Sequence, residues 1–296
     1  MNALRGSLLM LLAAMIWGTA FVAQREGAAY LDAYTFNALR SLLGSAVLIP
    51  VVALFGRAGA AATFSSRRDR RDLLVGGLVC GLLLTVASLF QQIGLEETSA
   101  GKAGFITTLY ILIVPILGLC LGRRPAWTLW AGVALGLVGL FLLCVKEGFS
   151  ITRGDMMVLR CAFTFSFHIM AIDFFVRRVD PILLSQVQFL VCGIACLIPI
   201  AVGAIPAPTL QAIYDCRWHI LYMSVFSSGI AYTLQIVAQK RLDAGVAALV
   251  MSLESVFAAL SGWIVLGETL SHREFLGCAL VFAATIVAQL RTRKAR

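Results

Sequence analysis

Charge is what this sequence lacks most. Of its 296 residues, 13% are Asp, Glu, Lys or Arg, against about a quarter in a soluble domain. Too few polar groups remain to cover a water-facing surface, so lipid must be part of the solvent. Histidine is scarce, with three residues. The eight cysteines contain no C-x-x-C, and seven lie inside apolar runs; Cys192 and Cys196 stand one helical turn apart. A disulfide framework or metal site is not expected, and the thiols read as small packing groups. There is no H-E-x-x-H and no G-x-S-x-G, and Gly101-Lys102-Ala103 lacks the spacing and the Ser/Thr of a phosphate-binding loop. A membrane-embedded enzyme and ATP drive within the chain lose their ground, and no cofactor is expected. Acidic residues are outnumbered 15 to 24, for a net charge of +9. The basic residues sit in short segments between apolar runs, which points to an anionic bilayer surface and not to nucleic acid.

What is present is apolar length: 60% of the residues are hydrophobic. A helix needs about 20 residues to cross about 30 Å of hydrocarbon. Breaking the chain at charged, Gly and Pro punctuation gives ten candidate crossings: 5–24, 34–55, 73–95, 98–121, 126–145, 155–176, 181–203, 217–240, 243–266 and 273–290. The runs are continuous and do not alternate, so helices are expected and a barrel is not. The first run follows Arg5 like a signal sequence, but nine more follow it, so it reads as an uncleaved span. The basic stretch Ser65–Asp72 reads as a solvated connector. With the N-terminus inside, sixteen Lys and Arg fall in inner segments, among them Arg57, Arg123, Arg124, Lys240, Arg241 and the tail; six, including Lys102 and Lys146, fall in outer ones. This predicts a multi-pass inner-membrane protein with both termini cytoplasmic.

The two halves resemble each other. Residues 90–121 lie on 234–265 without a gap, placing Ala100-Gly101 on Ala244-Gly245 and Gly118 on Gly262. After a one-residue slip, 131–135 meets 276–280, and Leu48-Ile49-Pro50 matches Leu197-Ile198-Pro199. The expected units are 1–148 and 152–296. Each has five crossings, an odd number, so the second must enter the membrane inverted. Inverted repeats are characteristic of secondary transporters, because exchanging the conformations of the halves turns an outward-open cavity into an inward-open one.

Several stretches carry a family likeness. Ser252-Leu253-Glu254-Ser255-Val256-Phe257-Ala258-Ala259-Leu260 leads into Gly262-Trp263-Ile264-Val265-Leu266-Gly267-Glu268, and Gly277 follows in the last span. Ala14-Met15-Ile16-Trp17-Gly18 and Phe36-Asn37-Ala38-Leu39-Arg40 stand in the first two spans. Together they resemble the EamA-type ten-helix members of the drug/metabolite transporter superfamily over essentially the whole chain. The family usually has proline after the glutamate, where this chain has Ser255. The resemblance implies an exporter of amino acids or other metabolites.

Polar groups inside a membrane mark candidate site residues. Glu254 falls near the middle of the ninth span. Keeping it charged there costs about 3 kcal/mol, and neutralising it at pH 7 costs about 3.7 kcal/mol. It therefore needs a cavity, a water chain or a cation, or serves as a structural ion pair; a coupling proton is one reading. Arg40 and Arg160 lie in the outer thirds of their spans. Each either snorkels outward or meets Glu254 or a substrate carboxylate. His168 is central in the sixth span, where packing is the usual role. Asp173 lies one turn before Arg177, as a local ion pair. Thr85, Ser88 and Gln92, Thr108 in the next span, and Ser252 in the ninth lie on small-polar faces that either pack closely or line a cavity. Trp17, Tyr110 and Tyr232 are candidate aromatic walls. Gln91 and Gln235, matched by the repeat, are candidate gates on opposite sides. Gly77-x-x-x-Gly81 and Gly132-x-x-x-Gly136 do not by themselves imply a dimer, so monomer and homodimer both stand.

The expectation is thus an all-α membrane protein carrying a small-molecule substrate, most simply a neutral or aromatic amino acid, by alternating access. A passive facilitator and an exporter of drugs or other metabolites are the alternatives.

Overall fold

The computed structural model describes residues 2–55, 66–98, 100–144, 151–266 and 271–290. Arg57, Lys146, Gly267, Glu268 and the basic tail lie outside the described residues. Every expected crossing is helical. The helices are α1 (Asn2–Gly27), α2 (Ala33–Phe55), α3 (Arg67–Glu97), α4 (Ala100–Thr107), α5 (Tyr110–Cys120), α6 (Trp127–Cys144), α7 (Arg153–Phe175), α8 (Pro181–Ala201), α9 (Leu210–Asp215), α10 (Arg217–Tyr222), α11 (Tyr232–Gln239), α12 (Ala244–Met251), α13 (Leu253–Leu266) and α14 (His272–Gln289). A π-helical segment, Met223–Ala231, joins α10 to α11. Among the described residues, nine segments are long and apolar enough to cross a membrane. The tenth crossing, α14, opens on the charged turn His272-Arg273-Glu274. The fold is therefore an all-α membrane bundle of ten crossings. Three crossings are composite: α4–α5, α10–π–α11 and α12–α13.

Local chemistry sets the ends. Ser66 caps α3 by accepting from the Arg68 amide, so the basic run expected as a connector is helical from Arg67 and lengthens α3 to 31 residues. Thr152 with Asp155, and Ser271 with Glu274, form capping boxes on α7 and α14. Asp180 caps α8 ahead of Pro181, which starts the helix at the position where its missing N–H costs nothing. Gly122 and Gly203 adopt φ of 76° and 75°. There they reverse the chain after α5 and α8, with Arg123 N donating to Gly118 O and Ala204 N to Pro199 O.

The packing repeats itself when each crossing is exchanged for the one five later. The pairing α3·α7 is matched by π–α11·α1, α3·α8 by π·α2, and α4–α5·α7 by α13·α1; α2·α8 and α6·α14 map onto themselves. The self-paired contact α6·α14 is the tightest kind. A methyl on Gly139 would sit 2.8 Å from Val281 N, and one on Gly277 would sit 2.7 Å from Gly139 O. Only glycine allows backbones this close. Gly77 and Gly81 are likewise occupied within the chain, against Val187 and Val191 of α8. The outer faces stay apolar: Leu74, Leu78, Leu82 and Val86 form an exposed stripe on α3 at helical spacing, as a lipid-facing surface requires.

Candidate substrate cavity

Two of the broken crossings are broken in the same way. The helix stops at Thr108-Leu109 and again at Ser252, positions that the gapless overlay of 90–121 on 234–265 brings together. Thr108 Oγ1 donates to Phe105 O at 2.8 Å, and Ser252 Oγ donates to Leu249 O at 2.7 Å. Just past each break, Ile111 N donates to Thr108 O at 3.0 Å and Ser255 N to Ser252 O at 3.2 Å. These are tight three-residue steps, and each hydroxyl satisfies a carbonyl that the break disturbs. No proline is needed for either break. Ser255, in the place of the family's usual proline, leaves the interruption of the ninth crossing intact.

The overlay also places Tyr110 on Glu254. These repeat-equivalent residues meet: the Tyr110 hydroxyl donates to Glu254 Oε1 at 3.0 Å, with both side chains buried. They line a cavity together with Trp17, Gln24, Arg40, Gln91, Thr107, Phe165, Ser227, Tyr232 and Gln235. Its volume is about 40 Å³, room for about three ordered waters. In this conformation it is narrow. A second cavity of about 580 Å³ lies at the face where α1 begins and α14 ends. Arg123, Arg124, Arg241 and Asp243 line it, and among the described residues it shares no lining residue with the first.

The walls have distinct chemistry. Trp17 meets the edge of Tyr232 at 4.9 Å between ring centroids, and Phe189 packs on Tyr232 at 5.2 Å. Gln24 donates to Gln91 Oε1 at 3.2 Å and to Gln92 Oε1 at 3.3 Å, and Gln92 Nε2 returns a bond to Gln24 O at 2.9 Å. Gln91 Nε2 reaches Thr107. Gln235 donates to Gln239 at 3.1 Å and keeps Oε1 without a partner. Arg40 is 4% exposed, and its Nε has no hydrogen-bond partner among the described residues.

Of the residues singled out by sequence, Trp17, Tyr110, Tyr232, Glu254, Arg40, Gln91 and Gln235 line this cavity. Gln91 and Gln235 reach the same cavity from two crossings. Gln92 stands behind it, holding Gln24. Thr108 and Ser252 serve the helix breaks. Thr85 bonds Gly81 O at 2.7 Å within α3, and Ser88 is buried nearby without a partner for its hydroxyl. His168 bonds Gln188 at 3.0 Å behind Tyr232. Arg160 is exposed, with its guanidinium 3.5 Å from the Met157 sulfur. Gln24, Thr107, Phe165 and Ser227 also line the cavity and were not singled out by sequence. Gln24 is a polar residue near a span end and gave a weak signal. Ser227 reaches the cavity from the π segment, which no residue pattern announces.

Asp173 accepts from Arg177 at 3.0 Å, the expected local pair, and also from Arg123 at 2.7 Å across the bundle. At the other end of α7, Asp155 is held by Lys102 at 2.5 Å and by Thr98 at 2.7 Å.

A ten-crossing bundle with approximate internal two-fold packing, whose two matched broken helices meet at a buried polar cavity, has the architecture of a membrane carrier. The EamA-like transporter family matches residues 4–145 and again 152–289, and the chain belongs to that family. It is 28% identical over 290 residues to an uncharacterised transporter of Archaeoglobus fulgidus, covering 95% of this chain and 84% of the relative. A threonine/homoserine exporter of Escherichia coli, RhtA, is 33% identical over 107 residues, 34% of each chain. A crystal structure at 20% identity superposes over 96% of both chains with a TM-score of 0.75, which supports the fold alone.

Proposed function

We propose that this transporter moves small metabolites, neutral or aromatic amino acids foremost, out of the cell by alternating access. The observation that carries the reading is the Tyr110–Glu254 contact: two repeat-equivalent residues, each just past the break of its crossing, joined in one cavity. The units 1–148 and 152–296 exchange conformations about that point, in an inner membrane with both termini cytoplasmic. Trp17 and Tyr232 supply an aromatic wall, Gln91 and Gln235 polar contacts from two directions, and Glu254 the group that exchanges a proton when transport is proton-coupled. The short RhtA match supports amino acids as the class to test first. The second, basic cavity is the cytoplasmic vestibule through which solute enters.

The test is reconstitution of the full chain in proteoliposomes with a panel of radiolabelled amino acids and related metabolites. At least one amino acid should be taken up, with stimulation by the same solute on the opposite side or dependence on a pH gradient. Uptake with neither property makes the protein a facilitator. Uptake of no amino acid removes the proposed substrate class.

A further inference from the structure

Among the described residues of the cavity lining, one is basic and one is acidic, Arg40 and Glu254. They are 4% and 5% exposed. Opposite charges at this depth gain most by touching, because an unpaired guanidinium in a low-dielectric interior costs several kcal/mol. Yet they do not touch. No ion pair within 4.0 Å joins Arg40 to any acid among the described residues. Glu254 Oε1 is taken by the Tyr110 hydroxyl, and the other carboxylate oxygen accepts nothing from the described residues. Around Arg40 on α2, the neighbours are turned elsewhere: Asn37 Nδ2 bonds Ala33 O at 2.8 Å, and the Ser41 hydroxyl bonds the Cys192 sulfur at 3.4 Å.

A chain that needed this arginine for folding would close the pair or move the residue to the lipid surface, as it does with Arg160. A guanidinium and a carboxyl group held apart across one cavity instead match a ligand with an anionic and a cationic end. We infer that Arg40 is the receptor for the carboxylate of a zwitterionic solute whose ammonium group faces Glu254. The inference rests on the transport reading and adds a requirement to it: the substrate must carry a free carboxylate. The planar guanidinium presents paired donors that fit a carboxylate's two oxygens, which an ammonium from lysine does not.

The experiment measures thermal stabilisation of the purified full-length protein by the standard L-amino acids, and by the amide and the decarboxylated amine of each one that binds. Those binding to wild type should lose about tenfold to hundredfold in affinity as amide or amine. Arg40→Gln should lose the acid by the same factor while leaving the weak binding of the amine unchanged, and Arg40→Lys should fall between. Without ligand, Arg40→Gln should unfold no earlier than wild type, because it removes an uncompensated buried charge. Equal binding of acid, amide and amine, or an Arg40→Gln variant binding the acid within about twofold of wild type, overturns the inference while leaving amino-acid transport standing. Early unfolding of ligand-free Arg40→Gln and Arg40→Lys also overturns it, by making Arg40 structural. If no amino acid binds, the proposed substrate class falls, and acetate, lactate and pyruvate decide Arg40 alone. Binding that Arg40→Gln abolishes keeps the carboxylate receptor, and no binding by any of them ends it.

Discussion

The crossing that carries Tyr110 and the crossing that carries Glu254 are broken alike but held differently. The first, α4–α5, is clamped to α7 at both ends. Lys102 meets Asp155 at one end, and Arg123, just past α5, meets Asp173 at the other. The second, α12–α13, packs on α1, the counterpart of α7, and no ion pair joins them among the described residues. Close approach takes the place of charge. A methyl on Gly18 would sit 2.6 Å from Phe257 Cβ and 2.8 Å from Glu254 O. The Trp-Gly pair of α1 thus has two jobs, with Trp17 lining the cavity and Gly18 admitting the backbone that bears Glu254. The halves share a scaffold while their chemistry has diverged, and among the described residues no ion pair clamps the crossing that bears Glu254 to its neighbour α1.

The clamp is the place to break this comparison hardest. Asp155 is 3% exposed and is satisfied by Lys102, Thr98 and the Thr152 amide. Asp155→Ala removes the buried acceptor shared by Lys102 and Thr98 and the capping box of α7. We expect a loss of about 3 kcal/mol in stability, read as a lower unfolding midpoint in detergent. A midpoint within experimental error of wild type would mean that the clamp does not distinguish the two crossings.

Next in size comes the charged crossing itself. Glu254→Gln keeps the shape and a possible bond from Tyr110 but removes the charge. We expect insertion and folding to be retained and initial transport rates to fall by about tenfold or more. Rates equal to wild type from mildly acidic to mildly alkaline pH would take Glu254 out of the mechanism.

The shared breaks sharpen the comparison from the other direction. Thr108 and Ser252 each donate to the carbonyl three residues back, and Thr108 also reaches Gly104 O at 2.9 Å; Thr108→Ala and Ser252→Ala should each cost about 1 kcal/mol, because a hydroxyl has one proton to give. A difference of several-fold between them, measured as unfolding midpoints, would show that the breaks are alike in geometry and not in energy.

The ten crossings and the doubled scaffold were legible in sequence because apolar length and punctuation survive any rotation of a helix. The cavity was legible only in part, because its membership depends on that rotation. Trp17, Tyr110, Tyr232 and Glu254 announced themselves as costly or bulky groups at mid-span. Thr108 and Ser252 looked like lining, yet their hydroxyls turn back onto their own helices. The π segment re-aims Ser227 toward the cavity and has no signature in composition. Gln24 became visible only through its partners on α3.

Arg40 and Arg160 show the limit most clearly and give the smallest expected effect. Both lie in the first third of their helices, Ala33–Phe55 and Arg153–Phe175, and sequence offers each the same two fates. The fold sends Arg40 inward and Arg160 outward, where its guanidinium rests near Met157 and its carbonyl accepts from Thr164 at 2.8 Å. Thr164 bonds the backbone, so it does not depend on the charge one turn away. Arg160→Gln should therefore leave solute affinity within about twofold of wild type and stability within about 0.5 kcal/mol. The same substitution at Arg40 should remove carboxylate recognition. Were Arg160→Gln to weaken solute binding as Arg40→Gln does, the distinction between an inward and an outward arginine would fail, and with it the assignment of the cavity by helix rotation.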